Sequence, residues 1–132
     1  MAASNRVAVI TGGDGDLATA LVPHLRAMDY DVRNPGRTEL DVSSKISVQS
    51  YFKTLPQVDL LVNNVGVFID KPFLEMDEAT FDKTFHLNIK VGYFLTQAFA
   101  RKWIASKVAG RVLFTGSING LLAEPTATTF TP

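Results

Sequence analysis

The stretch "RVAVITGGDGDLATALVPHL", residues 6–25, decides the fold expected of this chain. Residues 6–11 are a β-branched apolar run closed by Gly12 and Gly13, as expected of a strand that is buried on both faces. Leucines then recur at every fourth position, which predicts a helix with one face toward that strand. They are Leu17, Leu21 and Leu25. The stretch therefore predicts a strand, a glycine turn and a helix.

Further strands and helices alternate along the rest of the chain. The strand candidates are residues 31–36, 39–42 ("ELDV"), 58–66 and 111–116. The helical patterns are residues 44–54 and a long stretch from Glu78 to Gly110, with Leu87, Val91, Leu95, Phe99 and Trp103 on one face. The link between the second and third strand candidates is too short for a helical crossover. The pattern predicts an α/β fold, a three-layer Rossmann-type parallel sheet with helices on both faces and right-handed crossovers.

Composition excludes several classes of function. The 132 residues carry 13 Lys plus Arg and 13 Asp plus Glu, so the net charge is zero. The chain therefore lacks the excess of positive charge that is typical of proteins that bind nucleic acid or an anionic membrane surface. Cysteine is absent, and no metal site is predicted. No apolar run reaches the roughly 18 residues of a membrane span, and no signal peptide is evident. We expect a cytoplasmic protein with one domain over residues 1–132.

The glycine turn has the spacing of a phosphate-binding loop. "TGGDGDLA" can be read as G-x-G-x-x-A through Gly13, Gly15 and Ala18, or as T-G-x-x-G-x-x-A through Gly12, Gly15 and Ala18. Either reading lets the backbone approach a pyrophosphate at a helix N-terminus. The predicted contacts are Gly12, Gly13, Asp14, Gly15, Asp16 and Leu17. The two aspartates would repel phosphate unless they turn away, for example to cap the helix; a plain glycine turn is the alternative.

The end of the second strand bears on the choice of dinucleotide. An acid there accepts bonds from a ribose hydroxyl, whereas an arginine favours a 2′-phosphate. The sequence "PGRTE" places Arg37 first and Glu39 slightly further on. Arg37 favours NADP, with NAD possible, and a solvated loop charge is the alternative interpretation of that arginine.

With these motifs in this order, the chain resembles the short-chain dehydrogenase/reductase family along nearly its whole length. The glycine loop is similar to T-G-x-x-x-G-x-G, with Asp16 and Ala18 in place of two glycines, and fits the T-G-x-x-G-x-x-G variant better. "LDV" looks like the segment before the adenine pocket, which makes Asp41 and Val42 adenine neighbours. "NNVG", residues 63–66, closely matches N-N-A-G.

The resemblance also implies roles for residues beyond the glycine loop. Asn64 and Gly66 would lie along the cofactor's ribose, while Asn63 would hold the central sheet. Asn88 matches the asparagine that positions a water in the proton relay, and Ser117 matches the catalytic serine. Any one of these residues alone would more often be structural. Their order and spacing together favour an NAD(P)-dependent oxidoreductase that transfers a hydride to or from a small carbonyl or alcohol substrate.

The end of the sequence departs from the family pattern. The family's Y-x-x-x-K tyrosine would fall on Phe130, which has no hydroxyl, and the lysine would fall past Pro132. We therefore expect the N-terminal half of a family member, truncated after the fifth strand, with Ser117 and Asn88 as a partial catalytic set and little activity. Such a truncation leaves an exposed sheet edge and favours self-association. A non-catalytic dinucleotide-binding or interaction protein is the alternative.

Overall fold

The computed structural model describes residues 6–122, which form a parallel four-stranded sheet flanked by helices. The strands are β1 (Arg6–Ile10), β2 (Tyr30–Arg33), β3 (Leu60–Asn63) and β4 (Arg111–Phe114). The helices are α1 (Asp16–Ala27), α2 (Lys45–Thr54), α3 (Glu78–Phe85) and α4 (Val91–Ser106). The strand order is β2-β1-β3-β4, and every pairing is parallel.

The helices cover both faces of this sheet, which confirms the three-layer prediction. On one face, α1 buries Ala18 and Leu25 against residues of β1, β2 and β3 such as Ile10. On the other face, α2 and α4 pack on Val9 and Leu61 of the central strands. β1 and β3 need two apolar faces in this arrangement, and for that reason they are near-continuous apolar runs.

The predicted helix face on α1 is wrong at one position. Leu17 is 49% exposed, whereas Ala18 is fully buried and Leu25 nearly so. α1 begins at the carboxyl edge of the sheet, so the side chain of Leu17 in its first turn remains outside the core.

The segment "ELDV" forms no strand, contrary to the prediction. Leu40 is buried, but Asp41 accepts hydrogen bonds from the main-chain N–H and the hydroxyl of Ser43, at 3.0 and 2.6 Å. This turn leads into α2, where the Ser44 hydroxyl accepts from the Ser47 N–H. A short side chain that bonds nearby backbone competes with strand pairing. The described sheet thus has four strands, and the predicted fifth strand is β4.

The long helical pattern is confirmed, with an irregularity in its middle. A π turn, His86–Lys90, joins α3 to α4, so that the helix runs from Glu78 to Ser106. Its start is capped by the Asp77 carboxylate, which accepts from the Thr80 N–H. The Lys71 ammonium first, and then Thr80, hold the pKa of Asp77 well below its usual range.

The helix ends earlier than the predicted stop at Gly110. Lys107 adopts the left-handed conformation, with φ of 55°, and closes the last turn. Gly110 serves a different purpose, because a Cβ there would lie 2.2 Å from the indole ring of Trp103. The same indole donates a 2.6 Å hydrogen bond to the carbonyl of Val58. Gly110 is therefore required by packing rather than by helix termination.

β4 lies at one edge of the described sheet and is poorly covered. Leu113 and Phe114 are 55% and 58% exposed. Apolar side chains of α4, including Tyr93 and Phe94, are also exposed. Within residues 6–122, no helix is long and apolar enough to cross a membrane.

Candidate functional site

The strand order creates a crevice at the carboxyl edge of the sheet. From β1 the chain passes through α1 to β2 on one side, and then through α2 to β3 on the other side. Ligands of open α/β sheets bind outside the carboxyl ends of the strands at such a switch point. The two loops that meet there are residues 11–15, after β1, and residues 64–67, after β3.

The loop after β1 has the geometry of a tight glycine turn. Gly12 has a φ of +71°, which L side chains rarely adopt, and its Cβ would lie 3.2 Å from Val65. A Cβ on Gly13 would collide with the carbonyl of Asn34 at 1.9 Å. Gly15 is the N-cap of α1, and no side chain caps that helix end. The first N–H groups of α1 thus lack a side-chain acceptor, while the helix dipole favours an anion there.

Neither aspartate of the loop caps α1. Asp16 is the first residue of the helix. Asp14 turns toward the segment after β2, where its Oδ2 accepts a 2.8 Å hydrogen bond from the main-chain N–H of Arg37. The carboxylate of Asp14 is therefore directed to a neighbouring loop, an alternative to the predicted cap.

Thr11 and Asn64 join the two loops across the crevice. The Thr11 hydroxyl accepts from the Asn64 N–H at 3.0 Å and donates to the carbonyl of Val62 at 3.4 Å. The Asn64 amide donates to the carbonyl of Thr11 at 3.3 Å and accepts from the hydroxyl of Thr115 at 2.9 Å. Asn64 thus ties the ends of β1, β3 and β4 together.

Asn63 contributes from the end of β3. Its amide donates to the hydroxyl of Thr96 on α4 at 3.0 Å, which fixes the sheet to that helix. Its Oδ1 is buried and has no hydrogen-bond partner among the described residues. One turn earlier on α4, a Cβ on Gly92 would lie 2.8 Å from the ring of Phe114 and 3.6 Å from Asn63, so the helix approaches the sheet closely here.

Asn88 lies in the π turn and holds the loop after β3. Its Oδ1 accepts from the Val67 N–H at 2.7 Å, and its Nδ2 donates to the carbonyl of Val67 at 2.9 Å. A Cβ on Gly66 would approach Asn88 Oδ1 to 3.1 Å. Both ends of the side-chain amide are thus bonded to one peptide segment, so Asn88 acts as a positioning residue for residues 66–67.

Ser117 follows β4 at the same edge of the sheet. Its side chain is exposed, and its Oγ accepts a 3.1 Å hydrogen bond from the Asn119 N–H at the start of a short 3₁₀ turn. A hydroxyl that accepts such a bond keeps its own proton free to donate. Ser117 is thus fixed with an available donor.

The residues predicted at the adenine end lie beside the segment after β2. Hydrogen bonds from Ser43 lower the pKa of Asp41, with a smaller contribution from the charge of Arg37. Val42 is half-buried and packs against the core under α2. The guanidinium of Arg37 has no hydrogen-bond or ion-pair partner within residues 6–122.

The structure adds residues that the sequence interpretation missed. They are Thr11, Thr96, Thr115 and Val67. Thr11 could have been found, because a hydroxyl residue directly before a glycine loop can bond neighbouring backbone. The partners of Asn63 and Asn88 are distant in the sequence, and no local signal identifies them. In the part of the chain that the structure describes, no cluster of His, Asp and Glu side chains could hold a metal ion.

A comparison with known families bears on this edge of the sheet. The profile of the family described as short chain dehydrogenase matches residues 38–131 of this chain. The chain belongs to the short chain dehydrogenase family. The segment "NNVG", Asn88 and Ser117 all lie within the matched range.

Curated relatives agree with this assignment. The chain is 28% identical over 127 residues to L-xylulose reductase from Mesocricetus auratus, an alignment that covers 83% of this chain and 52% of that protein. It is 29% identical over 124 residues to 3-oxoacyl-[acyl-carrier-protein] reductase FabG from Aquifex aeolicus, covering 91% and 49%. The chain spans about half the length of these relatives.

Solved structures share the fold. 4-Hydroxyisoleucine dehydrogenase complexed with NADH matches with a TM-score of 0.86 at 21% identity, over 96% of this chain and 62% of that one. A short chain dehydrogenase from Leptospira borgpetersenii with bound NAD+ matches with a TM-score of 0.86 at 20% identity, over 96% and 59%. ElxO with NADP bound matches with a TM-score of 0.81 at 22% identity, over 96% and 61%. Phe130, which stands at the expected position of the family's tyrosine, lies outside the described residues.

Proposed function

We propose that this chain supplies the NAD(P)-binding half, residues 1–132, of an oxidoreductase that transfers a hydride between the nicotinamide and a small carbonyl or alcohol substrate. One observation carries the proposal: the glycine loop and the uncapped N-terminus of α1 open at the switch point, directly beside the loop held by Asn64 and Asn88. The donors at that helix end suit a pyrophosphate. The bound dinucleotide would supply the hydride chemistry.

The residues of this chain would divide the remaining work. Gly12 and Gly15 leave room for the backbone to approach the pyrophosphate, and Gly13, Asp14, Asp16 and Leu17 complete that loop. Asn64 and Gly66 line the ribose, while Arg37, Asp41 and Val42 lie toward the adenine end. Asn88 holds the loop at Gly66 in place.

Ser117 would polarise the substrate oxygen. Its oxygen accepts a hydrogen bond from the Asn119 N–H, so the hydroxyl proton remains available to donate to the substrate. The transfer also needs a general acid, a role worth about 10² to 10⁴ in rate. Phe130 cannot supply that proton, so we expect this chain alone to bind dinucleotide with little or no turnover. We also propose that the substrate is a small carbonyl or alcohol, that the protein is cytoplasmic, and that it self-associates through the exposed edge strand β4.

A variant at Gly15 tests the binding site. A Cβ at this position meets only the Gly12 carbonyl, at 3.3 Å, so Gly15→Val adds side-chain bulk to the phosphate approach without a severe clash inside the protein. We expect wild type to bind NADH or NADPH in calorimetric titration and Gly15→Val to lose at least tenfold in affinity. Ala20→Val, on an exposed position one turn further along α1, is the matched control and keeps wild-type affinity.

The outcomes separate clearly. If wild type binds neither dinucleotide, the proposed function is wrong. If Gly15→Val binds as tightly as the Ala20→Val control, the glycine loop is not the phosphate site. A carbonyl-reduction assay on the same samples tests turnover, and a rate comparable to that of complete dehydrogenases would contradict the role assigned to Phe130.

A further inference from the structure

The segment after β2 is fastened to the glycine loop. The Gly13 N–H donates to the carbonyl of Pro35 at 2.9 Å, and the Arg37 N–H donates to Oδ2 of Asp14 at 2.8 Å. A Cβ on Gly36 would lie 2.2 Å from Oδ1 of Asp14, so this carboxylate lies directly against the segment. The two loops form one unit where Rossmann domains distinguish a ribose hydroxyl from a 2′-phosphate.

Both main-chain donors at the tip of this segment already have carboxylate acceptors. The Gly36 N–H donates to Oε2 of Glu39 at 3.0 Å, and the Arg37 N–H donates to Asp14. Successive main-chain N–H groups in a turn are a usual cradle for phosphate oxygens. Here a phosphate would have to displace two carboxylates to use them.

The charges around the segment add to this effect. Asp14, Glu39 and Asp41 provide three carboxylates against the single guanidinium of Arg37. The cation that precedes it in the chain, Arg33, is paired with Asp31 at 2.8 Å. A phosphate monoester carries about −1.5 to −2 charges at neutral pH, whereas a ribose hydroxyl is neutral and can donate to a carboxylate. The local charge balance thus disfavours the phosphate.

We propose that Asp14 and Glu39 make this site select NAD(H) over NADP(H), with Arg37 opposing them. The inference rests on the proposed function and names the cofactor form that the same site takes. Arg37 alone favours NADP by residue type, and the carboxylates bonded to its own segment reverse that preference. Asp14 is thereby a specificity-determining residue contributed by the glycine loop.

The test compares the dissociation constants of NADH and NADPH, measured by calorimetry at low salt. We expect wild type to bind NADH about tenfold more tightly than NADPH. Asp14→Asn keeps an oxygen that can accept the Arg37 N–H but removes the charge. It is expected to reduce the NADPH-to-NADH ratio of dissociation constants about fivefold. Glu39→Gln should lower the ratio in the same way. Arg37→Gln, which removes the opposing positive charge, should raise it.

A salt series provides a second measurement on the unaltered protein. Because the net interaction with a 2′-phosphate is repulsive, raising NaCl from 50 to 500 mM should narrow the gap between the two dinucleotides. Equal or tighter binding of NADPH by wild type would overturn the inference. So would an equal loss of both dinucleotides in Asp14→Asn, which indicates a purely structural role. Either result leaves the proposed function standing, whereas binding of neither dinucleotide overturns both.

Discussion

Replacing the Thr11 hydroxyl should show how strongly the two loops of the crevice are coupled. Thr11 is 1% exposed, and its Oγ1 is the acceptor for the Asn64 N–H at 3.0 Å. Thr11→Val preserves the shape and removes this acceptor. Thr11→Ser is the matched control, because it keeps the hydroxyl and removes only the methyl group.

The structure gives an expected magnitude for each variant. In Thr11→Val the partly buried Asn64 N–H loses its acceptor, which costs about 1–3 kcal/mol. The Val62 carbonyl loses little, since it still accepts from the Thr11 N–H at 3.1 Å. In Thr11→Ser the loss of one buried methyl group costs about 1 kcal/mol. We therefore expect a free energy of unfolding about 2 kcal/mol below wild type for the valine variant and about 1 kcal/mol below for the serine variant.

Urea unfolding measures both variants, and a loss of 2 kcal/mol lowers the midpoint by roughly 1 M. Titration with NADH adds an independent readout. The valine variant should bind severalfold more weakly because residues 64–67 are no longer held to the glycine loop, and the serine variant should stay within twofold of wild type. If Thr11→Val is no less stable than Thr11→Ser and binds equally well, the hydroxyl does not couple the loops.

Three further substitutions test other parts of the structure. Asn88→Asp replaces the amide that donates to the Val67 carbonyl with a carboxylate oxygen that repels it. We expect the free energy of unfolding, measured in urea, to fall by about 1–3 kcal/mol and NADH binding to weaken; an unchanged affinity would contradict the positioning role. Gly110→Ala drives a methyl group into Trp103, so we expect a loss of about 1–3 kcal/mol and altered tryptophan fluorescence, with Gly116→Ala, whose Cβ meets nothing within 4 Å, as the neutral control. The cap at Asp77 has a folded pKa below the usual 3.8, so its stabilisation is fully present above that pH and is lost as pH falls toward the folded pKa. Asp77→Asn should therefore lose less melting temperature than wild type when the pH is lowered from 7 to 2. If the melting temperatures of the two proteins fall by the same amount, the prediction is wrong.

The main elements of the fold could be predicted because their apolar patterns are strong. The apolar runs at β1 and β3 are short and end in glycine or asparagine residues, which favours strands, and the four-residue series of α4 is long enough to favour a helix. "ELDV" was misleading because Leu40 is buried without being paired, and the turn at Asp41 depends on hydroxyl bonds that hydropathy does not reveal. Gly110 has the residue type of a helix stop, but its small size is needed beside Trp103.

The candidate site could be located from the order of its motifs, but its internal contacts could not be predicted. Asp14 and Arg37 are 23 residues apart, and Asn88 and Val67 are 21 apart. Which of several nearby backbone groups a carboxylate or amide bonds is decided by the packing of whole loops. The residue types indicated phosphate binding, and only the structure indicates that a glycine-loop carboxylate occupies the segment after β2.

The π turn also sets how many residues the long helix contains. A π turn closes its hydrogen bond over one residue more than an α turn does, so the helix has one residue of slack at His86–Lys90. A chain lacking Ile89, which is 57% exposed, could close as an unbroken α-helix and still present α3 and α4 as they are now. Leu87 of the same turn packs on the core, and Asn88 beside it holds Val67, so the shorter helix would have to give up one of these two contacts. The extra residue of the π turn thus lets neighbouring side chains of one turn serve the core and the crevice together.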